Sequence, residues 1–176
     1  MIKMNKFQHS NKLPKSWYKG GTKIKIIEDM IFKVHKYAYL HHIERLMIMG
    51  NIGLLLQINP CELYNWFMIC FIDSYEWVMI PNVFGMSQYS LTNISMMSKP
   101  YISSSNYIRK MSDYKKDDCF IYWDALYWFF IYTHKTLLSK IYATSIQVKL
   151  LDKMDISKLN NHITIANNFI LNLYKE

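Results

Sequence analysis

Apolar residues recur at helical spacing along most of this chain, and short polar breaks divide the pattern into segments. Over residues 23–49, Ile27, Ile31, Val34, Ala38 and His41 track one face, which predicts a helix that stops near Gly50 and Asn51. Asn59-Pro60-Cys61-Glu62 reads as a helix start. Asn59 can cap, Pro60 sits in the first turn where its missing N–H costs nothing, and Glu62 takes the capping-box position. That helix is expected to run to about residue 79, because the residue before Pro81 is pushed away from helical backbone. Such a helix would set Trp66, Asp73 and Trp77 on one face.

Residues 82–99 mix Ser, Asn and Gly85 with little periodicity, so a long ordered loop is expected, with at most one helical turn. Gly85 suits a positive φ or a close backbone approach. Ser103–Ser105 can cap a helix through Met111, and residues 115–118 read as a polar turn. Residues 120–142 are apolar and aromatic enough for a helix at the centre of the core. Asp155 should cap a last helix, in which Ile156, Leu159, Ile163, Ala166, Ile170 and Leu173 alternate at three and four.

Composition narrows the class. Half of the 176 residues are apolar, with only 5 Gly and 4 Pro, so one all-α domain over 13–176 is expected after a disordered basic start over 1–12. No run of apolar residues is long enough to span a bilayer without a charge, and residues 1–15 lack the apolar centre of a leader peptide. No membrane partner is therefore expected, and the location is read as cytoplasmic. Cys61, Cys70 and Cys119 form no C-x-x-C pair, which gives neither a disulfide framework nor a zinc site. The net charge of +8 permits nucleic-acid binding without singling it out. Lysine supplies nearly all of it, since Arg stands only at 45 and 109.

Ionisable groups inside the apolar pattern are the candidate chemistry. His41, His42, Arg45, Asp73 and Glu76 lie among Leu, Ile, Met, Phe and Trp, and burying them requires partners or a ligand. The two histidines read either as a core imidazole beside a solvated one, or as a proton-handling pair. Arg45 can neutralise a ligand phosphate or pair with Glu44, Asp73 or Glu76. Trp66 and Trp77 fit a packed core as well as a redox relay.

The segments AYLHHIERLMIMGN, YEWVMIPNVFGMSQY, SKPYISSSNYI, MSDY and ALYWFF, in this order and spacing, resemble the FAD-binding helical domain of the photolyase/cryptochrome superfamily. The resemblance is strongest to its bacterial iron–sulfur branch, the deoxyribodipyrimidine photolyase-related proteins, and runs over about residues 13–154. It implies a truncated C-terminal half of a photolyase-like helical domain, with light-driven, FAD-dependent DNA repair as the family activity. His42 would then donate a proton to the lesion with His41 in support. Arg45, Asn51, Asp73, Trp77, Asn82, Met86 and Ser87 would face the flavin, and Trp66 would relay electrons. Lys99, Tyr101, Arg109 and Lys110 would face damaged DNA. Two departures stand out. The positions of the branch's four cluster cysteines are Ile26, Lys115, Asp118 and Ile121 here, so no iron–sulfur cluster is expected. The family is also much longer, so a separate chain would have to supply the N-terminal portion. The competing expectation is a non-enzymatic or vestigial helical protein whose basic surface meets nucleic acid.

Overall fold

The computed structural model describes residues 5–90, 101–114 and 119–175. Residues 91–99 of the loop expected over 82–99, Lys99 included, and the polar turn at 115–118 lie outside them. The fold is all-α, and among the described residues the only bridge between extended segments is an isolated parallel pair, Asn11 with Ile58. The chain divides into two compact units, Met1–Met97 and Ser98–Glu176.

In the first unit, α1 (Ser16–Lys19) and α2 (Lys25–Tyr37) follow the polar start. The expected disorder of residues 1–12 does not hold from Asn5 onward. Phe7 and His9 are buried, and Asn11 donates its side-chain N–H to the Leu56 carbonyl at 2.8 Å. The backbone of Asn11 also pairs with Gln57 and Asn59, and so many partners offset the entropy of ordering the segment. α2 buries Ile26, Ile27, Met30, Ile31 and Val34, the stripe that the sequence predicts.

The helix does not continue to residue 49. Ala38 turns left-handed at φ 49° with its N–H on the Val34 carbonyl, and the chain restarts at His42. A wide π-helical stretch, Glu44–Gly50, then runs without a stop into α3 (Asn51–Leu55). Gly50 does not end the helix because its lack of a side chain serves packing instead: a Cβ there would lie 2.7 Å from Ser87 Cβ.

α4 (Pro60–Cys70) begins as predicted, with Asn59 Oδ1 accepting from the Cys61 N–H at 2.9 Å. It ends early. The Ser74 hydroxyl bonds the carbonyls of Met68 and Phe71, both at 2.8 Å, a side-chain competition that breaks helices. α5 (Glu76–Ile80) starts afresh and passes straight through Pro81 into a second π-helical stretch, Pro81–Ser87. Ile80 keeps helical backbone at φ −58°, ψ −57°, so the proline starts a wider turn rather than ending a helix. Gly85 lies inside that stretch, buried and without positive φ. Trp17, Trp66, Phe67, Leu54 and Leu63 fill the core of this unit, each contributing roughly 1.5–3 kcal/mol through burial.

The second unit holds α6 (Ser105–Met111), α7 (Phe120–Thr133), α8 (Lys135–Leu138), α9 (Ser145–Asp152) and α10 (Ile156–Tyr174). α7 and α10 pack along each other, with Tyr122 against Phe169 at 5.1 Å between ring centroids. α7 is apolar nearly all round and central, as predicted, but it ends at Thr133 rather than 142. His134 leaves helical backbone there while its ring packs on Phe130 at 4.8 Å. Asp155 caps α10 as predicted, its Oδ1 accepting from the N–H groups of Ser157 and Lys158. No described helix is long and apolar enough to cross a membrane.

Candidate functional site

Arg45 is the centre of the candidate site. It sits in the first π-helical stretch and is 4% exposed, and the acid on that stretch, Glu44, pairs with Lys33 instead. Its guanidinium lies over the Phe71 ring at 4.2 Å, and Nη2 donates to the Leu40 carbonyl at 3.0 Å and to the Asp73 carboxylate at 2.9 and 3.2 Å. Of the partners open to it from sequence, Asp73 is therefore the one it takes. The break after α4 makes this possible, because it carries Asp73 off the helix and back beside Leu40. The Ile72 N–H bonds the Ala38 carbonyl at 2.9 Å and holds the two segments together.

His41 and His42 lie at the start of the helix that carries Arg45, and both are exposed. His41 acts as a cap. Its N–H approaches Glu44 Oε2 and the Glu44 N–H approaches His41 Nδ1, each at 3.4 Å, the reciprocal arrangement of a capping box. Glu44 also pairs with Lys33. The reading of one core imidazole beside a solvated one thus gives way to an exposed rim beside the Arg45–Asp73 pair. Burial did not follow because Ala38 ends the apolar stripe three residues earlier.

Beneath the rim the aromatic rings form a connected series. Trp17 meets Trp66 edge to face at 5.0 Å between centroids, Trp66 meets Phe71 at 5.6 Å, and Phe71 lies under Arg45. Trp17 and Phe71 were not singled out from sequence, since contacts across elements leave no local signal. Asp73 lies beyond the end of α4, so it shares no helix face with Trp66, and neither does Trp77. Trp77 belongs to α5, is 77% exposed and stacks on Tyr75 at 6.4 Å.

The second π-helical stretch supplies the remaining candidates. Asn82 and Ser87 are buried, Met86 is half-buried, and Asn51 at the start of α3 is fully buried. The Ser87 hydroxyl donates to the Val83 carbonyl at 3.1 Å. Gln88 follows, donating from Nε2 to the Gly50 carbonyl at 2.9 Å, so it ties the two π-helical stretches together. Four buried polar atoms in this unit have no hydrogen-bond partner among the described residues: Ser16 Oγ, Arg45 Nε, Trp66 Nε1 and Gln88 Oε1. Each orphaned group costs about 1–3 kcal/mol, and π-helical widening is frequent at functional sites. Asp73 keeps 44% of its side chain exposed, whereas Arg45 is buried. Asn51 and Ser87 are closed off from solvent.

In the second unit Tyr101 is half-buried, and Arg109 and Lys110 are exposed at the end of α6. Arg109 Nη2 donates to Ser105 Oγ at 2.8 Å and stands 3.6 Å from Asp124 Oδ2. No group of three or more metal-ligating side chains is gathered among the described residues.

No protein-family model matches the chain. Over 140 residues, 74% of its length, it is 37% identical to a (6-4) photolyase of Agrobacterium fabrum (strain C58 / ATCC 33970), of which it spans only 27%. Over 87 residues, 49% of its length, it is 46% identical to the uncharacterized protein R855 of Acanthamoeba polyphaga mimivirus, of which it spans 70%. The chain therefore belongs to one family with the mimivirus protein R855 and is related in sequence to about a quarter of a (6-4) photolyase.

Proposed function

We propose that this chain is part of a photolyase-related flavoprotein, by descent a light-driven, FAD-dependent DNA repair lyase. The observation that carries the reading is the rim of His41 and His42 beside the Arg45–Asp73 pair, above the series from Trp17 through Trp66 to Phe71. A bound reduced flavin would supply one electron, under light, to a pyrimidine dimer or (6-4) lesion. Arg45 and Asp73 would hold the polar edge of the ring, with Asn82 and Met86 beside them. Trp66 and Trp17 are close enough to pass an electron between them. His42, exposed and making no side-chain hydrogen bond among the described residues, would give a proton to the lesion, while His41 caps the helix that presents it. Lys99, Tyr101, Arg109 and Lys110 would meet the DNA. Because the chain spans about a quarter of the photolyase it matches, the remaining walls of the pocket would come from a further polypeptide portion. The sequence offers sulfur at none of the four cluster positions, so the reading involves no iron–sulfur centre.

Purification with FAD, alone and together with the remaining photolyase-like portion, tests this. Flavin absorbance should co-purify in the second setting, and His42→Ala should retain the flavin yet lose repair of a (6-4) lesion. Absence of flavin in both settings would sink the proposal.

The closure of Asn51 and Ser87 favours a second reading, a non-enzymatic or vestigial helical protein that at most binds nucleic acid through its basic surface. A gel shift with DNA that weakens with salt, and is indifferent to light and to His42→Ala, would favour it.

A further inference from the structure

A cavity of about 230 Å³ in the second unit lies away from every flavin-side candidate. α6, α7 and α10 enclose it with Arg109, Phe120, Asp124, Asn161, His162 and Ile165 among its lining residues. The volume is several times what one water needs, and apolar floor and polar wall are both present.

The donors and acceptors around it do not balance. Both oxygens of Asp124 are engaged: Oδ1 accepts from the Ser105 N–H and Oδ2 from the Ser105 hydroxyl, both at 2.8 Å. Ser105 Oγ in turn accepts from Arg109 Nη2, and Arg109 stands 3.6 Å from the same carboxylate. The carboxylate is thus held and offset by its own neighbours. Arg109 carries five N–H donors, and among the described residues only its Nη2 makes a hydrogen bond. Its guanidinium is fixed over the Phe120 ring at 5.2 Å. Asn161 is exposed at the same wall. Both ring nitrogens of His162 are hidden from water and unpartnered among the described residues. Lys158 adds positive potential to that imidazole and Asp124 opposes it. A surplus of donors, one of them a guanidinium fork, calls for an acceptor-rich anion.

We propose that this cavity binds a phosphate group, with Arg109 as its principal ligand and Asn161 and His162 as further donors, the imidazole reaching it by a turn of its ring. The phosphate can come from a nucleic-acid backbone or from free phosphate. The site lies wholly within the second unit and needs no flavin.

Titration of the full-length chain with inorganic phosphate, followed by calorimetry and by NMR of the Arg109 and His162 side chains, tests this. Saturable shifts of both side chains are expected. Arg109→Gln should weaken binding about tenfold or more, the loss of a charge-assisted contact. His162→Phe should weaken it by a smaller factor, and Lys149→Gln, on an exposed part of α9, should leave it unchanged. Should Arg109→Gln not fold, Arg109→Lys serves, since it keeps one charge and loses the fork. A single-stranded oligonucleotide that displaces phosphate identifies a backbone source, and one that does not identifies free phosphate. Shifts that never saturate, or equal affinity in Arg109→Gln and Lys149→Gln (an adventitious ion only), would overturn the proposal. The flavin test above is unaffected by either result.

Discussion

Arg45 shows how one residue can hold a site together. Its guanidinium faces one carboxylate, one carbonyl and one ring, and the stem is buried. Replacing it with Met keeps much of the packing but removes every polar contact, leaving the Leu40 carbonyl and Asp73 to solvent or to nothing. Asp73 is 44% exposed in its side chain, so water recovers part of its loss. Arg45→Met is expected to cost ~2 kcal/mol in urea denaturation, below the 3–5 expected for breaking a fully buried pair, and Asp73→Asn less than 1. Local residue chemistry was legible in the sequence. Asn59 with Pro60 and Asp155 cap where expected, because a cap needs only its own next three residues. The partner of Arg45 was legible only as one of three, since the choice rests on where the chain breaks between residues 70 and 76.

At the scale of elements, the two π-helical stretches depend on each other. Gly50 on the first meets Ser87 on the second, and Gln88 bonds the Gly50 carbonyl. Gly50→Ala would force its methyl against Ser87 Cβ, an overpacking cost of about 1–3 kcal/mol. Ser87→Gly removes that atom, so the double variant should recover most of the loss, and a double-mutant cycle on thermal unfolding would read the coupling. Additive effects would mean that the two stretches do not meet there. None of this was visible in the sequence. A run of apolar residues permits a straight helix, a broken one or a widened one alike, and the decision falls to Ser74 through nearby carbonyls and to Ala38 and Gly50 through Ile72 and Ser87, distant in the chain. The same holds for α7, whose end at Thr133 is marked by no proline or glycine.

At the scale of the whole molecule, pH is the lever. Burial pushes the His134 imidazole down from 6.5 to about 4, and lowers His162 as well. Their protonated forms are favoured in the unfolded chain, which therefore binds more protons between these limits. The stabilisation is fully present above about pH 6.5 and is lost as pH falls towards 4. For His134 the loss amounts to ~3 kcal/mol at most. Urea midpoints at pH 7 and pH 4.5 should differ less in His134→Phe than in the parent, and an unchanged difference would assign the acid sensitivity to carboxylates instead. The all-α class and the sites of the strongest helices could be read from periodicity, whereas the division at Met97 could not, because no composition change marks it.

The bond from Ile72 to Ala38 closes a ring of chain around α3 and α4, and Arg45 with Asp73 closes nearly the same ring a second time. Loop entropy depends only weakly on length and is largely met by the first closure. The second clasp therefore adds its contact energy at little further entropic cost, and either clasp alone holds the segment that carries His41 and His42 beside residues 72–73.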